Sequence, residues 1–470
     1  MAITYDEAAH LLRRAGFGGA PDEITKLAKR DREKAVDSLL NYDRIDNQEM
    51  EDRLQKSFNP KKFTPQDDLQ LWWIVRMIQT ARPFEEKMTI FWHNHFATAL
   101  EKVDYPLMYV QNQMLRSFAL DRFDTLLLNV ARDPAMLVWL DGVTNALGSP
   151  NENFARELQE LFTMGINDVV TGQPNYTERD VKEIARAFTG WKFKQKDNKP
   201  FKPGFFIQPD DHDNTTKEIY GQRANFSGED VIEVICARRS TARFLVKKLF
   251  EFFVYPLTDS AQDIATTEKF ADIYANNNRS IKALVRAIFI SDEFFGERAR
   301  FALVKSPAEL VVGSIRMLEA EYNPGKVTDG DFELYNQFRR MGFDLLNPFD
   351  VSGWKLNLGW LNTATVLERY NFANELISNR NSDKRALGAK ISNEQLRKHT
   401  SASAETTVQN FLSLLGPLNV DGQTVRLLAD YLQTDDDGNR VPFVPDDDTV
   451  DKSVRGLVFL IMCLPEFQMN

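Results

Sequence analysis

Two glutamates, Glu157 and Glu160, lie three positions apart in the segment SPNENFARELQELFTMG. On a helix this spacing puts both carboxylates on one face, with Asn153 beside them. Repulsion between neighbouring carboxylates raises the pKa of one of them, which suits an acid–base pair. The same two groups also suit a divalent metal ion. The segment therefore predicts a candidate site on one flank of a helix.

The same segment allows a simpler interpretation. Arg156 lies four positions from both Glu152 and Glu160, the spacing at which ion pairs form along an exposed helix. Charged helix faces of this kind are common and contribute little to stability. The ligand interpretation and the ion-pair interpretation both remain open at this point.

A second candidate group is the histidine pair in FWHNHFATAL, residues 91–100. On an extended strand His93 and His95 would share a face and could bind one ion together. The apolar residues around them instead recur every three or four positions, which predicts a helix. On that helix His95 joins the apolar stripe, whereas His93 lies on the opposite side. We therefore expect His95, but not His93, to point inward.

A third candidate is His212, which lies among Asp210, Asp211 and Asp213 in PDDHDNTTK. This loop composition can bind a divalent cation. It lacks the spacing of a known calcium loop, and aspartates are also favoured in ordinary turns. A solvated acidic turn is thus the alternative.

The elements that must position these residues are mostly helices, because capped segments with a helical apolar period dominate the chain. We predict an all-α fold, a large multi-helix orthogonal or bundle-like array, with one small β-hairpin insertion at about 191–208. Residues 1–191 would form an N-terminal helical region that carries most polar motifs, 192–227 a loop and hairpin insertion, and 228–470 a C-terminal helical region. We expect the two helical regions to pack as one continuous unit.

Composition excludes several classes of protein. The formal net charge of −10 gives no general attraction to phosphate backbones, so we expect no nucleic-acid partner. No stretch reaches the roughly 18 apolar residues that span a bilayer. The N-terminal segment lacks the apolar run of a signal peptide, which predicts a cytoplasmic protein, or an exported one if a leader precedes this sequence.

An ordered series of motifs runs along the whole chain: HLLRRAGFG, FWHNHFAT, DPAMLVWLDG, NENFARELQELFTMG, YTERDVKEIARAFTGW, HDNTTKEIYG, VKSPAELVVG, MGFDLLNPFDVSGW and PEFQ. Together they resemble the bacterial family catalogued as domain of unknown function 1800. Its members are largely uncharacterised, many are exported, and they are often encoded beside proteins of another uncharacterised family, numbered 1501. The resemblance implies no established activity, and it makes a protein of the family numbered 1501 a candidate partner.

The resemblance also directs attention to particular positions of the motifs. These are His10, Arg14, His93, His95, Asn151, Glu152, Arg156, Glu157, Glu160, Arg186, Gly190, Trp191 and His212.

Two hypotheses from different classes follow. In the first, the protein is a hydrolase-like enzyme whose catalytic set is Glu157, Glu160, Arg156 and His95. A divalent metal of unknown identity would be held by Glu157, Glu160, His95 and His212 and would activate water. In the second, the same residues form a structural network in a binding or assembly partner. Exposed aromatics of WKFKQ and VSGWKLNLGWLN would then contact the partner, although VSGWKLNLGW could equally cap the core.

Overall fold

A computed structural model describes residues 1–58, 63, 66–196, 199–322, 333–378 and 389–470. Helices dominate these residues and only short antiparallel strand pairs interrupt them, so the predicted all-α class is confirmed. The chain divides into two compact units. Unit 1 comprises Met1–Phe84, Phe295–Leu345 and Lys355–Asn470, and unit 2 comprises Glu85–Phe294 and Leu346–Trp354. The predicted insertion at 192–227 lies within unit 2.

Unit 1 contains the first five helices and the last eight. They are α1 (Tyr5–Ala15), α2 (Pro21–Ala28), α3 (Arg32–Leu40), α4 (Gln48–Ser57), α5 (Gln66–Gln79), α17 (Pro307–Met317), α18 (Glu333–Arg340), α19 (Thr363–Ser378), α20 (Asn393–His399), α21 (Ala404–Leu414), α22 (Gly422–Leu432), α23 (Asp447–Thr449) and α24 (Arg455–Cys463). Strand β5 (Glu321–Tyr322) pairs with β6 (Ala389–Lys390).

Unit 2 contains the helices between these two sets. They are α6 (Pro83–His95), which begins at the boundary, α7 (Tyr105–Ser117), α8 (Phe123–Arg132), α9 (Pro134–Trp139), α10 (Asn153–Glu160), α11 (Glu178–Ala187), α12 (Gly228–Cys236), α13 (Arg239–Phe253), α14 (Ala261–Asn276), α15 (Ile281–Phe289) and α16 (Asp292–Phe295). Strands β1 (Trp191–Lys196) and β2 (Lys199–Ile207) form the predicted hairpin. A second, unpredicted hairpin joins β3 (Lys217–Ile219) to β4 (Gln222–Ala224).

Short polar side chains begin many of these helices. Thr177 precedes α11 and forms a capping box with Asp180. In this motif each side chain satisfies a backbone N–H group that would otherwise lack a partner. Before α10, the Asn151 side chain accepts a hydrogen bond from the Asn153 backbone nitrogen. These caps fix the starting points of α10 and α11, the two helices that carry most of the candidate residues.

Candidate acid–base site

Helix α10 presents Glu157 and Glu160 on its solvent-facing flank, and Phe154 and Leu158 face the core. Both glutamates are partly buried. The Tyr176 hydroxyl donates a hydrogen bond to Glu160 Oε2 at 3.1 Å. No hydrogen bond or ion pair reaches the Glu157 carboxylate from the residues that the structure describes. Glu157 is thus a partly buried acid beside a second, anchored acid.

This environment raises the pKa of two groups, Glu157 and Tyr176. Burial, followed by the repulsion of Glu160, raises the pKa of Glu157, and Arg156 only partly offsets the rise. Burial and the nearby Glu160 also raise the pKa of Tyr176, to about 12, so its hydroxyl stays a hydrogen-bond donor at neutral pH. The site therefore holds one carboxyl group whose pKa is raised and one that accepts a hydrogen bond from a phenol.

Tyr176 is held in place by the loop that links α10 to α11. The buried Asn175 side chain donates to the carbonyl oxygens of Met164 and Gly165 at 2.8 and 3.0 Å. This clamp ties the far end of the loop to the turn that follows α10. The residue next to the clamp, Tyr176, is thereby brought back over Glu160.

Arg156 does not pair with Glu157 or Glu160. Its two terminal nitrogens contact Glu178 at 2.8 Å each, and one also contacts Glu152 at 3.3 Å. The pKa of Arg156 is raised, chiefly by the hydrogen bonds to Glu178. Of the two ion pairs that the spacing predicted, Arg156–Glu152 is confirmed and Arg156–Glu160 is wrong, because Glu178 at the start of α11 supplies a better placed, bidentate partner.

His95 points inward as predicted. Its Nε2 atom lies 3.0 Å from the Phe162 carbonyl oxygen, and because a carbonyl only accepts, Nε2 must carry the hydrogen. Aromatic rings surround it, including Trp92 and Phe96. Burial lowers the pKa of His95 to about 3. His95 is therefore a neutral side chain that anchors the turn after α10.

His93 was expected not to point inward, and that expectation is wrong. It is 0% exposed, and its ring centroid lies 5.4 Å from that of Trp354. Burial lowers the pKa of His93 to about 3. The two histidines do occupy different sides of α6, but the segment 346–354 covers the side that carries His93.

His212 is fixed in a loop. Its Nδ1 atom donates to the Thr189 carbonyl oxygen at 2.7 Å. The neighbouring Asp213 accepts from Arg186 Nε at 2.8 Å. Burial by itself would raise the pKa of Asp213, but the hydrogen bonds from Arg186 and Thr215 lower it overall. The ion pair between Asp213 and Arg186 thus links the motif HDNTTK to α11.

The four predicted metal ligands do not converge. Among the residues that the structure describes, no three His, Cys, Asp or Glu side chains are grouped in a way that could hold a metal ion. One nitrogen of His95 and one of His212 are each bound to a backbone carbonyl, of Phe162 and Thr189 respectively. The donor set of Glu157, Glu160, His95 and His212 therefore does not fit the predicted metal.

The predicted aromatic partner surface is also wrong. Trp191, Trp354 and Trp360 are 1%, 6% and 4% exposed, respectively. Trp191 packs edge-on against Phe188 at 4.8 Å. The tryptophans of WKFKQ and VSGWKLNLGWLN belong to the core. For VSGWKLNLGW, this agrees with the alternative prediction that the segment caps the core.

Sequence reasoning missed two buried polar groups of unit 2. Glu86 and Arg116 form an ion pair, 2.7 Å at its shortest, with both side chains buried. Asp133 is buried and accepts from Gln111 at 2.7 Å. Burial raises the pKa of Asp133 to about 7, although three hydrogen bonds oppose the change. The DP pair at the start of α9 was a signal for a capping aspartate, but nothing in the local sequence indicated its burial.

These features define a mostly helical protein with an uncompensated carboxylate pair on one helix. In the described part of the chain, no helix is both long and apolar enough to cross a membrane. The chain belongs to the family described as protein of unknown function (DUF1800), whose profile matches residues 10–469. No curated protein and no solved structure matches it.

Proposed function

We propose that Glu157, Glu160 and Tyr176 form an acid–base site and that the protein is a hydrolase-like enzyme. The observation that carries this proposal is the state of Glu157, which is partly buried, next to a second carboxylate and without a partner among the described residues. By contrast, Arg156 on the same helix and Arg186 on α11 have close ion-pair partners. An uncompensated acid is a cost to stability that active sites commonly carry.

The chemistry assigned to this site is hydrolysis by paired acid and base. Glu160 accepts a proton from a water molecule, whose oxygen attacks the electrophilic centre of the substrate. Glu157 donates its proton to the leaving-group oxygen or nitrogen as the bond to the centre breaks. One water is consumed, and a final proton exchange with solvent restores both glutamates. The Tyr176 hydroxyl keeps the Glu160 carboxylate oriented throughout.

The experiment is a hydrolysis screen with a proton-release readout on carboxyl esters, phosphate esters, amides and glycosides, with a chelator present throughout. We expect wild-type protein to hydrolyse at least one class, and Glu157→Gln to reduce the rate by about 10²–10⁴-fold. Glu152→Gln is the control, since Glu152 immediately precedes the same helix and its substitution changes charge equally. Equal rates for wild type and Glu157→Gln, or no hydrolysis of any class, would contradict the proposal.

A second candidate function is assembly with a partner protein. It is favoured by four leucines of unit 1 that are exposed within a short stretch. Their exposed fractions are 42% for Leu356, 71% for Leu358, 36% for Leu361 and 57% for Leu367. Trp360, between them in sequence, is buried and fixes the segment. Clustered exposed apolar side chains are typical of protein–protein interaction sites.

The partner we propose for this surface is a protein of the family numbered 1501, on the grounds of the gene neighbourhood that the family resemblance implies. Co-purification and sedimentation of the two proteins test it. Leu358→Asp with Leu367→Asp should abolish the complex. Leu427→Asp, at a leucine that is 61% exposed on α22, should leave it intact. No complex, or equal loss in the control, would contradict this candidate.

A further inference from the structure

Unit 1 contains an open cavity of about 720 Å³ that is separate from the proposed acid–base residues. Its wall is formed by the start of α1, the turn around residues 297–301 and the end of α21 with the loop that follows. Two arginines, Arg13 and Arg300, line it.

Arg13 is built into the cavity wall. Its side chain is buried, Nη1 donates to the Gly416 carbonyl oxygen at 2.8 Å, and the guanidinium lies 4.5 Å from the centroid of the Phe301 ring. Its Nε has no hydrogen-bond partner. Within the described residues, no carboxylate forms an ion pair with Arg13. A guanidinium fixed in this way, with unused donor capacity, is prepared to bind an anion.

Arg300 adds a second positive charge. No hydrogen bond or ion pair is formed by its guanidinium with any residue that the structure describes, and its Nε is buried without a partner. Burial and the proximity of Arg300 lower the pKa of Arg13 to about 10, whereas Asp6 opposes the change. Two guanidinium groups that repel each other without an intervening anion are stabilised when one binds.

The rest of the wall limits what the ligand can be. Asp6 and Glu297 also line the cavity, so a large polyanion would be repelled. Asn419 and Ser413 offer neutral hydrogen-bonding groups. These contacts suit a small molecule with one oxyanion group and further polar atoms.

We propose that this cavity binds a small oxyanion, a phosphate or a carboxylate, between Arg13 and Arg300. The guanidinium fork matches the paired oxygens of both groups. The proposal does not depend on the acid–base site of unit 2.

Calorimetric titration of the full chain with inorganic phosphate and with succinate tests the proposal, against sodium chloride at matched ionic strength. We expect saturable binding of at least one anion, one per chain, and the anion that binds identifies the ligand group. Arg300→Gln should weaken binding about tenfold or more, because a charged hydrogen-bond donor is lost. Arg300→Lys should weaken it less.

The matched control is Arg298→Gln, which removes an exposed arginine two positions away and should bind like wild type. Arg13→Lys, examined only if its melting temperature stays near that of wild type, should also weaken binding. Absence of saturable binding by both anions, or equal weakening in Arg298→Gln and Arg300→Gln, would overturn the proposal.

Discussion

Arg156 binds the Glu178 carboxylate through both terminal nitrogens, at 2.8 Å each, and so ties α10 to the first residue of α11. The glutamates on the same helix, Glu157 and Glu160, consequently lack the cation that the sequence suggested for them. Their repulsion is left in place, which is the physical basis of the proposed acid–base site.

Arg156→Gln should lower the urea midpoint of unfolding only slightly, because the Arg156 side chain is 35% exposed and that of Glu178 is 67% exposed. Arg116→Gln is the matched change at the buried pair with Glu86. It should cost about 3–5 kcal/mol, since a carboxylate would remain buried without its partner. Comparable effects of the two substitutions would contradict the view that the Arg156 pair is exposed and the Arg116 pair is buried.

Much of this architecture could be predicted from local pattern. The apolar period around His93 and His95 identified α6, and a β-hairpin was predicted at about 191–208, where β1 and β2 lie. The burial of His93 could not be predicted, since its cover, Trp354, comes from a distant part of the chain. The true partner of Arg156 was also hidden, because Glu178 lies on the next helix. Local spacing predicts which residues share a face, but not what packs against that face.

Acid should destabilise the protein through two of its buried histidines, His93 and His95. The pKa of His93 and that of His95 are each lowered from 6.5 to about 3, chiefly by burial. The stability that the neutral forms contribute is therefore present above pH 6.5 and is lost as the pH falls toward 3. Each histidine should contribute about 1.4 kcal/mol per pH unit in that window.

Urea unfolding between pH 7 and pH 4.5 measures this slope, and the difference between variants separates it from the titration of carboxylates. His95→Gln, which keeps a donor for Phe162, and His93→Phe should each flatten the slope. Identical slopes in wild type and both variants would show that these histidines do not titrate as expected.

Asp133→Asn should stabilise the protein at pH 8. Because burial raises the folded-state pKa of Asp133 from 3.8 to about 7, its stabilising contribution is full below pH 3.8 and is lost as the pH rises toward 7. Asparagine keeps an oxygen for Gln111 and for the backbone nitrogen of Met136. The gain should be up to about 4 kcal/mol at pH 8 and should vanish near pH 4.

Asp124→Asn provides a control of opposite sign. Burial would raise the pKa of Asp124, but Arg122 and Arg279 lower it overall, so this substitution should destabilise the protein at neutral pH. Chemical unfolding at pH 4 and pH 8 measures both variants. A gain for Asp124→Asn, or a loss for Asp133→Asn at pH 8, would contradict the assigned environments.

Gly353→Ala should displace the segment that covers His93. Gly353 has φ +90°, and an added Cβ would lie 2.2 Å from Asn94 Oδ1 and 2.4 Å from Asn94 O. The adjacent Trp354 nitrogen donates to the same Oδ1 atom. Limited proteolysis within 346–354 should become faster. Gly438→Ala shares the strained backbone, φ +83°, but meets no atom within 4 Å, and should affect stability less. If the two variants are cleaved at equal rates within 346–354 and are equally stable, the prediction is contradicted.

The central claim, that Glu157 and Glu160 are an uncompensated functional pair, is tested most directly by the free energy of unfolding of Glu157→Gln/Glu160→Gln at pH 7.5. Glutamine keeps an acceptor for Tyr176 and removes the repulsion. The control is Glu152→Gln/Glu178→Gln, which removes both carboxylates from Arg156 and should be slightly destabilising. We predict that the Glu157/Glu160 double variant is more stable than wild type by about 0.5–2 kcal/mol. A lower stability would mean that the glutamates belong to a structural network, and an unchanged value would place them on an ordinary solvated face.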